Sequence, residues 1–260
     1  MRPGRLVRHG SAQGMNSFYI EGCGGGGLEV RLKPEDAKHA AQVLRMQRDD
    51  EFYAIDEVGR RFLAKMRAVS RAECTALLCE ELPDNEAHVA VTVYQGIPKA
   101  DKMELIVQKL TELGAARLVP VKMERCVVKL DEKDGEKKRE RLQKIAREAS
   151  KQCKRGGCLE VSAPQTWKQL QNALQYEHDL LLAPWEDARG FGMKAAHAAF
   201  PEAKNIGVVI GPEGGMSESE VRALEALGAK QITLGPRILR TETAAIAACT
   251  MAMLLWGDLG

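Results

Sequence analysis

The sequence predicts an α/β fold, a mostly parallel sheet with helices on both faces, preceded by a small β-barrel. Three observations carry this. Glu51 to Asp56, Arg61 to Val69 and Thr75 to Glu80 are short alternating segments separated by polar turns, the pattern of a small barrel. The polar, proline-punctuated stretch Leu82-Pro83-Asp84-Asn85-Glu86 then marks a boundary. After it the near-continuous β-branched run Val89 to Tyr94 reads as a strand covered on both faces, and apolar runs at Leu118 to Val121, Leu180 to Ala183, Ile206 to Ile210 and Gln231 to Leu234 alternate with helical patterns.

The elements follow in order. Residues 1–14 hold three arginines and little hydrophobic pattern, so they read as a disordered leader or remnant ahead of a second possible start at Met15. Phe18-Tyr19-Ile20 and Leu28 to Leu32 read as strands joined by the glycine-rich turn Gly22 to Gly27. Gly22, Gly24 and Gly27 match G-x-G-x-x-G, but a strand pattern follows where a dinucleotide site needs a helix. Pro34 to Met46 reads as a helix with proline in its first turn. The boundary separates a domain over 15–84 from one over 87–260. In the latter, Asp101 to Leu113 is helical and closes on Gly114. Lys137 to Arg155 is helical with an inward stripe of Leu142, Ile145, Ala146, Ala149 and Cys153. Ser217-Glu218-Ser219-Glu220 is a capping box for a helix running to Leu227, and Ala244 to Trp256 is a buried C-terminal helix too short to span a bilayer.

Composition narrows the function. With 45% hydrophobic and 28% charged residues the chain is ordinary for a globular protein. Its seven cysteines are irregularly spaced without a secretory leader, which predicts reduced thiols in a cytoplasmic protein. Cys153 and Cys158, the closest pair, lack a nearby histidine or a second pair at zinc spacing, so no metal is expected. The net charge is only +2, but Lys137 to Arg155 holds nine basic and two acidic residues, a local +7 against −5 elsewhere. Such a one-signed helix face suits a phosphate backbone. Aromatic residues do not interleave with it, so base stacking is not the expected mode.

The chemistry concentrates in two loops. Ile210-Gly211-Pro212-Glu213-Gly214-Gly215 and Leu234-Gly235-Pro236-Arg237-Ile238-Leu239-Arg240-Thr241-Glu242-Thr243-Ala244 each follow a strand and open a helix. Backbone N–H groups at one end of a sheet can there meet a small ligand. Thr241 is placed to cap the last helix, whose positive end favours an anion. Arg237 and Arg240 suit a phosphate or an electron-rich ring, or else pair with Glu213 or Glu242.

Taken together, GPEGG, LGPRILRTETA, KADKMELIVQKLTELGA, Arg125-Cys126-Val127-Val128-Lys129, Glu148 to Arg155 and the HAAQVLR segment His39 to Arg45 resemble the RsmE family, bacterial 16S rRNA uracil-N3 methyltransferases of the SPOUT superfamily. The resemblance covers nearly everything from Met15 onward. It implies a PUA-like, RNA-binding barrel, a SPOUT-type α/β methyltransferase domain with a C-terminal trefoil knot, a homodimer, and S-adenosylmethionine as methyl donor. The implied substrate is a decoding-region uridine, U1498, in the 16S rRNA of the assembled 30S subunit. The implied cofactor residues are Leu182, Ala183, Pro184, Ile210, Gly211, Pro212, Glu213, Gly214, Gly215, Leu234, Gly235, Ile238, Leu239, Arg240, Thr243 and Ala244. Those for RNA are His39, Arg45, Arg125, Lys129, Lys151, Lys154 and Arg155. Arg240 is expected to stabilise charge on the deprotonated ring, with Glu242 orienting it or relaying the proton. A related methyltransferase acting on tRNA or a ribose 2′-hydroxyl, and a non-catalytic RNA-binding or ribosome assembly factor, are the competing readings.

Overall fold

The computed structural model describes residues 15–70, 73–127, 132–174 and 177–260. The chain divides into two compact units. One comprises the described residues through Asn85 with Lys151–Gly157; the other comprises Glu86–Ser150 and Cys158–Gly260.

In the first unit, strands β1 (Ser17–Tyr19), β2 (Glu29–Arg31), β3 (Glu51–Ile55), β4 (Arg61–Val69) and β5 (Cys74–Glu81) form one sheet in the order β1-β3-β4-β5-β2. A bridge between Ile20 and Leu32 joins the edge strands, so the sheet closes into a small barrel. Alternation does the sorting: Phe62, Ala64 and Met66 of β4 are fully buried while Leu63 and Lys65 between them are half-buried. They pack with Phe18, Phe52 and Leu78 into a single core. Asp56, just past β3, accepts backbone hydrogen bonds from Gly24, Val58 and Arg60 (3.0, 3.1 and 2.8 Å) and one from Arg60 Nε at 3.0 Å. Burial alone would raise its pKa, but these donors outweigh it and hold the carboxyl below the usual range.

The helix expected over Pro34 to Met46 is shorter. Helix α1 (Pro34–Lys38) begins with its proline as predicted, but the chain then widens into a π-helical turn at His39–Val43. Arg45 follows with φ 51°, a conformation rarely held by a residue with a Cβ.

In the second unit, β6 (Ala90–Gly96), α2 (Lys102–Glu112), β7 (Arg117–Lys122), α3 (Glu132–Cys153), β8 (Glu160–Val161), β9 (Gln165–Thr166), α4 (Trp167–Leu174), β10 (Leu180–Pro184), α5 (Met193–Ala199), β11 (Asn205–Ile210), α6 (Glu218–Ala226), β12 (Lys230–Ile232) and α7 (Thr241–Leu255) follow in order. The sheet runs β12-β10-β11-β6-β7-β8, with β9 also on β7, and its pairs are parallel. Strand parity builds two cores. Val91, Val93, Leu118, Leu182, Ile206 and Val208 pack with Met103 and Leu110 of α2, Leu142 of α3 and Ala248 and Met253 of α7. Tyr94, Val119, Val121, Leu181, Ala183 and Val209 pack with Leu170 of α4 and Val221 and Leu224 of α6. Burial on both faces explains the uninterrupted apolar strands.

The helix ends follow local chemistry. Gly114, with φ 90°, stands just past the α2 C-cap. Ser217 and Glu220 make both halves of the predicted capping box on α6. Of the α3 stripe, Leu142, Ala146 and Ala149 are buried. Among the described residues no helix is long and apolar enough to cross a membrane.

Candidate active site

Because the strands are parallel, the C-terminal ends of β10, β11 and β12 lie at one edge of the sheet, where α/β folds place ligands. A cavity of about 1150 Å³ opens there. Three strand-to-helix connections wall it: Pro184 to Gly190 after β10, Ile210 to Met216 (all but Gly214) after β11, and Thr233 to Thr241 after β12, with Ala244 of α7 and Lys102 of α2. The two glycine-bearing loops singled out in the sequence thus share one cavity.

Local backbone geometry explains the glycines. A Cβ on Gly96, at the end of β6, would lie 2.5 Å from Pro212 N, so only glycine allows that approach. Gly215 has φ 69° and closes a tight turn by donating its N–H to Pro212 O at 2.9 Å. In the loop after β12, the N–H groups of Ile238, Leu239 and Arg240 make no hydrogen bond among the described residues. Ile238 is 83% exposed, a large apolar side chain at the cavity wall.

Two polar clusters tie the walls together. In the first, buried Gln95 donates to Thr241 Oγ1 (2.8 Å), which donates to Gly211 O (2.6 Å). Thr241 is therefore not the helix cap; Arg240 is the N-cap residue of α7, without a side-chain bond. In the second, Lys102 Nζ lies 3.1 Å from Glu213 Oε1 and 3.2 Å from Glu242 Oε2. Lys99 N–H adds a bond to Glu213 at 2.9 Å. Hydrogen bonding to Glu213 raises the Lys102 pKa. Burial opposes ionisation of Glu213, yet the Lys99 N–H and the Lys102 ammonium win and lower its pKa. Glu242 is paired with Lys102 and not with Arg240, which is exposed and has no ion-pair partner among the described residues.

The sequence-derived residues thus divide. Pro184, Ile210, Gly211, Pro212, Glu213, Gly215, Leu234, Gly235, Ile238, Leu239, Arg240 and Ala244 line the cavity. Leu182 and Ala183 do not: both are fully buried, one in each core. Gly214 turns away and its carbonyl accepts from Arg125 Nη1 at 2.9 Å; Thr243 is on the exposed side of α7. Sequence reasoning missed the Trp185 to Gly190 segment and Lys102. The first follows a strand ending at the same sheet edge. The second is a cation at a helix start, the wrong sign for the helix dipole.

The residues assigned to RNA scatter. His39 and Arg45 are exposed around the π-helical turn. Arg125 braces the Gly214 carbonyl, and Lys129 lies outside the described residues. At the end of α3 the expected phosphate-binding surface is instead turned inward. Lys151 forms an ion pair with Asp36 at 2.6 Å, their side chains 14% and 4% exposed; Lys154 covers the Tyr53 ring at 5.0 Å; Arg155 is buried. Among the described residues of that helix, Lys137, Arg141, Lys144 and Arg147 are exposed, and Arg141 pairs with Glu104.

The sequence matches the family model of an RNA methyltransferase domain over residues 85–253 and that of an RNA methyltransferase PUA domain over residues 32–79. It is 36% identical to the ribosomal RNA small subunit methyltransferase E of Bacillus subtilis over 233 residues, 86% of this chain and 91% of that one. It is 33% identical to that of Aquifex aeolicus, covering 92% and 99%. Among solved structures, the Neisseria gonorrhoeae ribosomal RNA small subunit methyltransferase E bound to S-adenosyl methionine superposes with a TM-score of 0.83 at 28% identity, covering 95% and 100%. A Legionella pneumophila methyltransferase in complex with its cofactor SAM gives 0.83 at 30% identity, covering 94% and 99%.

Proposed function

Since the chain belongs to the ribosomal RNA small subunit methyltransferase E family, we propose that it transfers a methyl group from S-adenosylmethionine to 16S rRNA, at N3 of a decoding-region uridine in the assembled 30S subunit. The observation that carries this reading is the cavity shared by the two glycine-bearing loops at the strand ends. Ligand cavities commonly span about 300–1,000 Å³, so one of about 1150 Å³ can take a nucleoside cofactor with space for an incoming base. The residues present suit that group. The N–H donors at Ile238 and Leu239, unbonded among the described residues, can meet a purine edge, and Ile210, Leu234, Ile238 and Ala244 offer it an apolar slot.

S-adenosylmethionine supplies an electrophilic methyl on a sulfonium. The chain's own work is to align the target base and stabilise what it becomes. Losing the N3 proton spreads negative charge onto the uracil carbonyl oxygens. Arg240, exposed at the cavity wall, is the guanidinium assigned to that charge. Glu242 stands two residues on, paired with Lys102, and is the residue assigned to orient Arg240 or relay the proton. Alignment in a tight pocket can supply about 7–11 kcal/mol of the barrier.

For RNA affinity we assign the barrel's exposed His39 and Arg45 and the outward cations Lys137, Lys144 and Arg147 of α3, in place of the inward Lys151 and Arg155. The trefoil knot and homodimer belong to the same proposal. α7 follows edge strand β12 yet packs on central β6 and β11, as a threaded helix must. Leu105 of α2 and Leu254 of α7 are 42% and 58% exposed on neighbouring helices, as a partner surface requires.

The test offers 30S subunits, free 16S rRNA and tRNA with labelled S-adenosylmethionine and locates the methyl group by mass spectrometry. The expected product is N3-methyluridine on 30S particles alone. A label on ribose or tRNA overturns the target. Arg240→Ala should abolish turnover while calorimetry shows cofactor binding retained; near-wild-type turnover overturns the Arg240 assignment.

A further inference from the structure

Lys102 opens α2 and carries a positive charge where the helix dipole disfavours one. It takes two partners. Glu213 belongs to the connection after β11, and Glu242 to the first turn of α7. Three chain segments, far apart in sequence, therefore meet at one ammonium beside the cavity. The Gln95–Thr241–Gly211 cluster joins nearly the same three with neutral groups: the β6 end, the β11 loop and α7. The charged cluster is a second tie beside this neutral one. It spans the cavity wall: Lys102 and Glu213 line the cavity, each with its side chain 28% exposed, and Glu242 stands behind them at 13%.

Neither titration direction suits proton transfer. The ammonium is held above its ordinary pKa and the Glu213 carboxyl below its own, so both stay ionised near neutral pH, away from the matched values that general acids and bases need. What an ionised bridge does well is fix distance.

We propose that Lys102 is a positioning residue of the methyl-transfer site: by bridging Glu213 and Glu242 it holds the 211–215 loop against the start of α7 and so sets where Arg240 stands. The inference rests on the reading of this cavity as the methyltransferase site. Displacement of a catalytic group by about an ångström costs on the order of 100-fold. Lys102→Met should therefore lower kcat roughly 10- to 100-fold. Because the cavity's apolar walls and N–H donors are untouched, affinity for S-adenosylmethionine should change less than kcat.

The experiment measures S-adenosylmethionine affinity by calorimetry, kcat and KM on 30S subunits, and Tm, for wild type, Lys102→Met, Lys102→Arg and Glu242→Gln. The expected result is a kcat deficit in Lys102→Met, most of it restored by Lys102→Arg and shared by Glu242→Gln, with Tm close to wild type. Wild-type kcat in Lys102→Met overturns the proposal. So does a kcat loss that merely tracks a fall in Tm, or one that Lys102→Arg does not repair. If wild-type protein itself neither binds the cofactor nor methylates 30S, the functional reading fails and takes the positioning role with it; if wild type is active and Lys102→Met matches it, only the positioning role fails.

Discussion

Two lysines hold carboxylates in this molecule, and they do so differently. Lys151 pairs with Asp36 in the barrel unit, with side chains 14% and 4% exposed. Asp36 also accepts the Tyr19 N–H at 2.7 Å, so both sides of that pair are committed inside the fold. Lys102 instead divides itself between two carboxylates at a cavity wall, with Glu213 28% exposed and Glu242 13%. The first arrangement is dry and closed, and disrupting it strands a charge. The second is wet at Lys102 and Glu213, and disrupting it moves groups that water already reaches. Ion pairs drawn alike in a contact map can therefore serve stability in one place and geometry in another, and the exposure of Lys102 and Glu213 separates the two.

Three measurements sharpen that contrast, beginning with the largest effect. Lys151→Met leaves Asp36 buried without its cation and should lower unfolding stability by about 3–5 kcal/mol in urea titrations, while folded protein keeps its cofactor affinity. A loss under 1 kcal/mol would place Lys151 with the wet pairs.

Asp56 extends the dry class to a carboxylate held mainly by backbone donors. Its folded pKa is depressed, so its stabilisation is complete above the unfolded value of about 3.9 and fades as pH falls through the folded one. Asp56→Asn should thus be less stable than wild type by about 2 kcal/mol near neutrality, the gap narrowing only below about pH 4. Urea titrations across a pH series follow it; a gap that widens on acidification contradicts the sign.

Smallest is Arg222–Glu218 on α6, where the side chains are 76% and 72% exposed. Arg222→Ala should change stability by about 0.3–0.5 kcal/mol, vanishing in high salt. A larger effect by thermal unfolding would mean that exposure misjudges this pair.

Strand positions were readable because burial on both faces leaves apolar runs, as in Ile206 to Ile210, and because the Ser217 box and Gly114 punctuate helices by backbone chemistry. The loops after β11 and β12 were readable for the same reason: glycine and proline announce unusual backbone. Side-chain partners were not. Whether Lys151 faces water or Asp36 depends on a residue over a hundred positions away, and a basic run looks identical in either case. The π-helical turn at His39–Val43 was equally hidden, since its residues keep a helical composition while adding one to the turn. Leu182 and Ala183 were misplaced because a motif names neighbours in sequence, and alternating strand residues point to opposite faces rather than off the strand end.

The Lys151–Gly157 segment that completes the barrel unit has a consequence for how this protein can be taken apart. A gene fragment ending at Asn85 encodes every barrel strand but not the ammonium that neutralises Asp36. Such a fragment would inherit an unmatched charge in its interior, and swapping barrels between relatives would demand that the α3 terminus travel with them. The barrel is contiguous in space but split in the gene, and recombination that treats it as a module would break it.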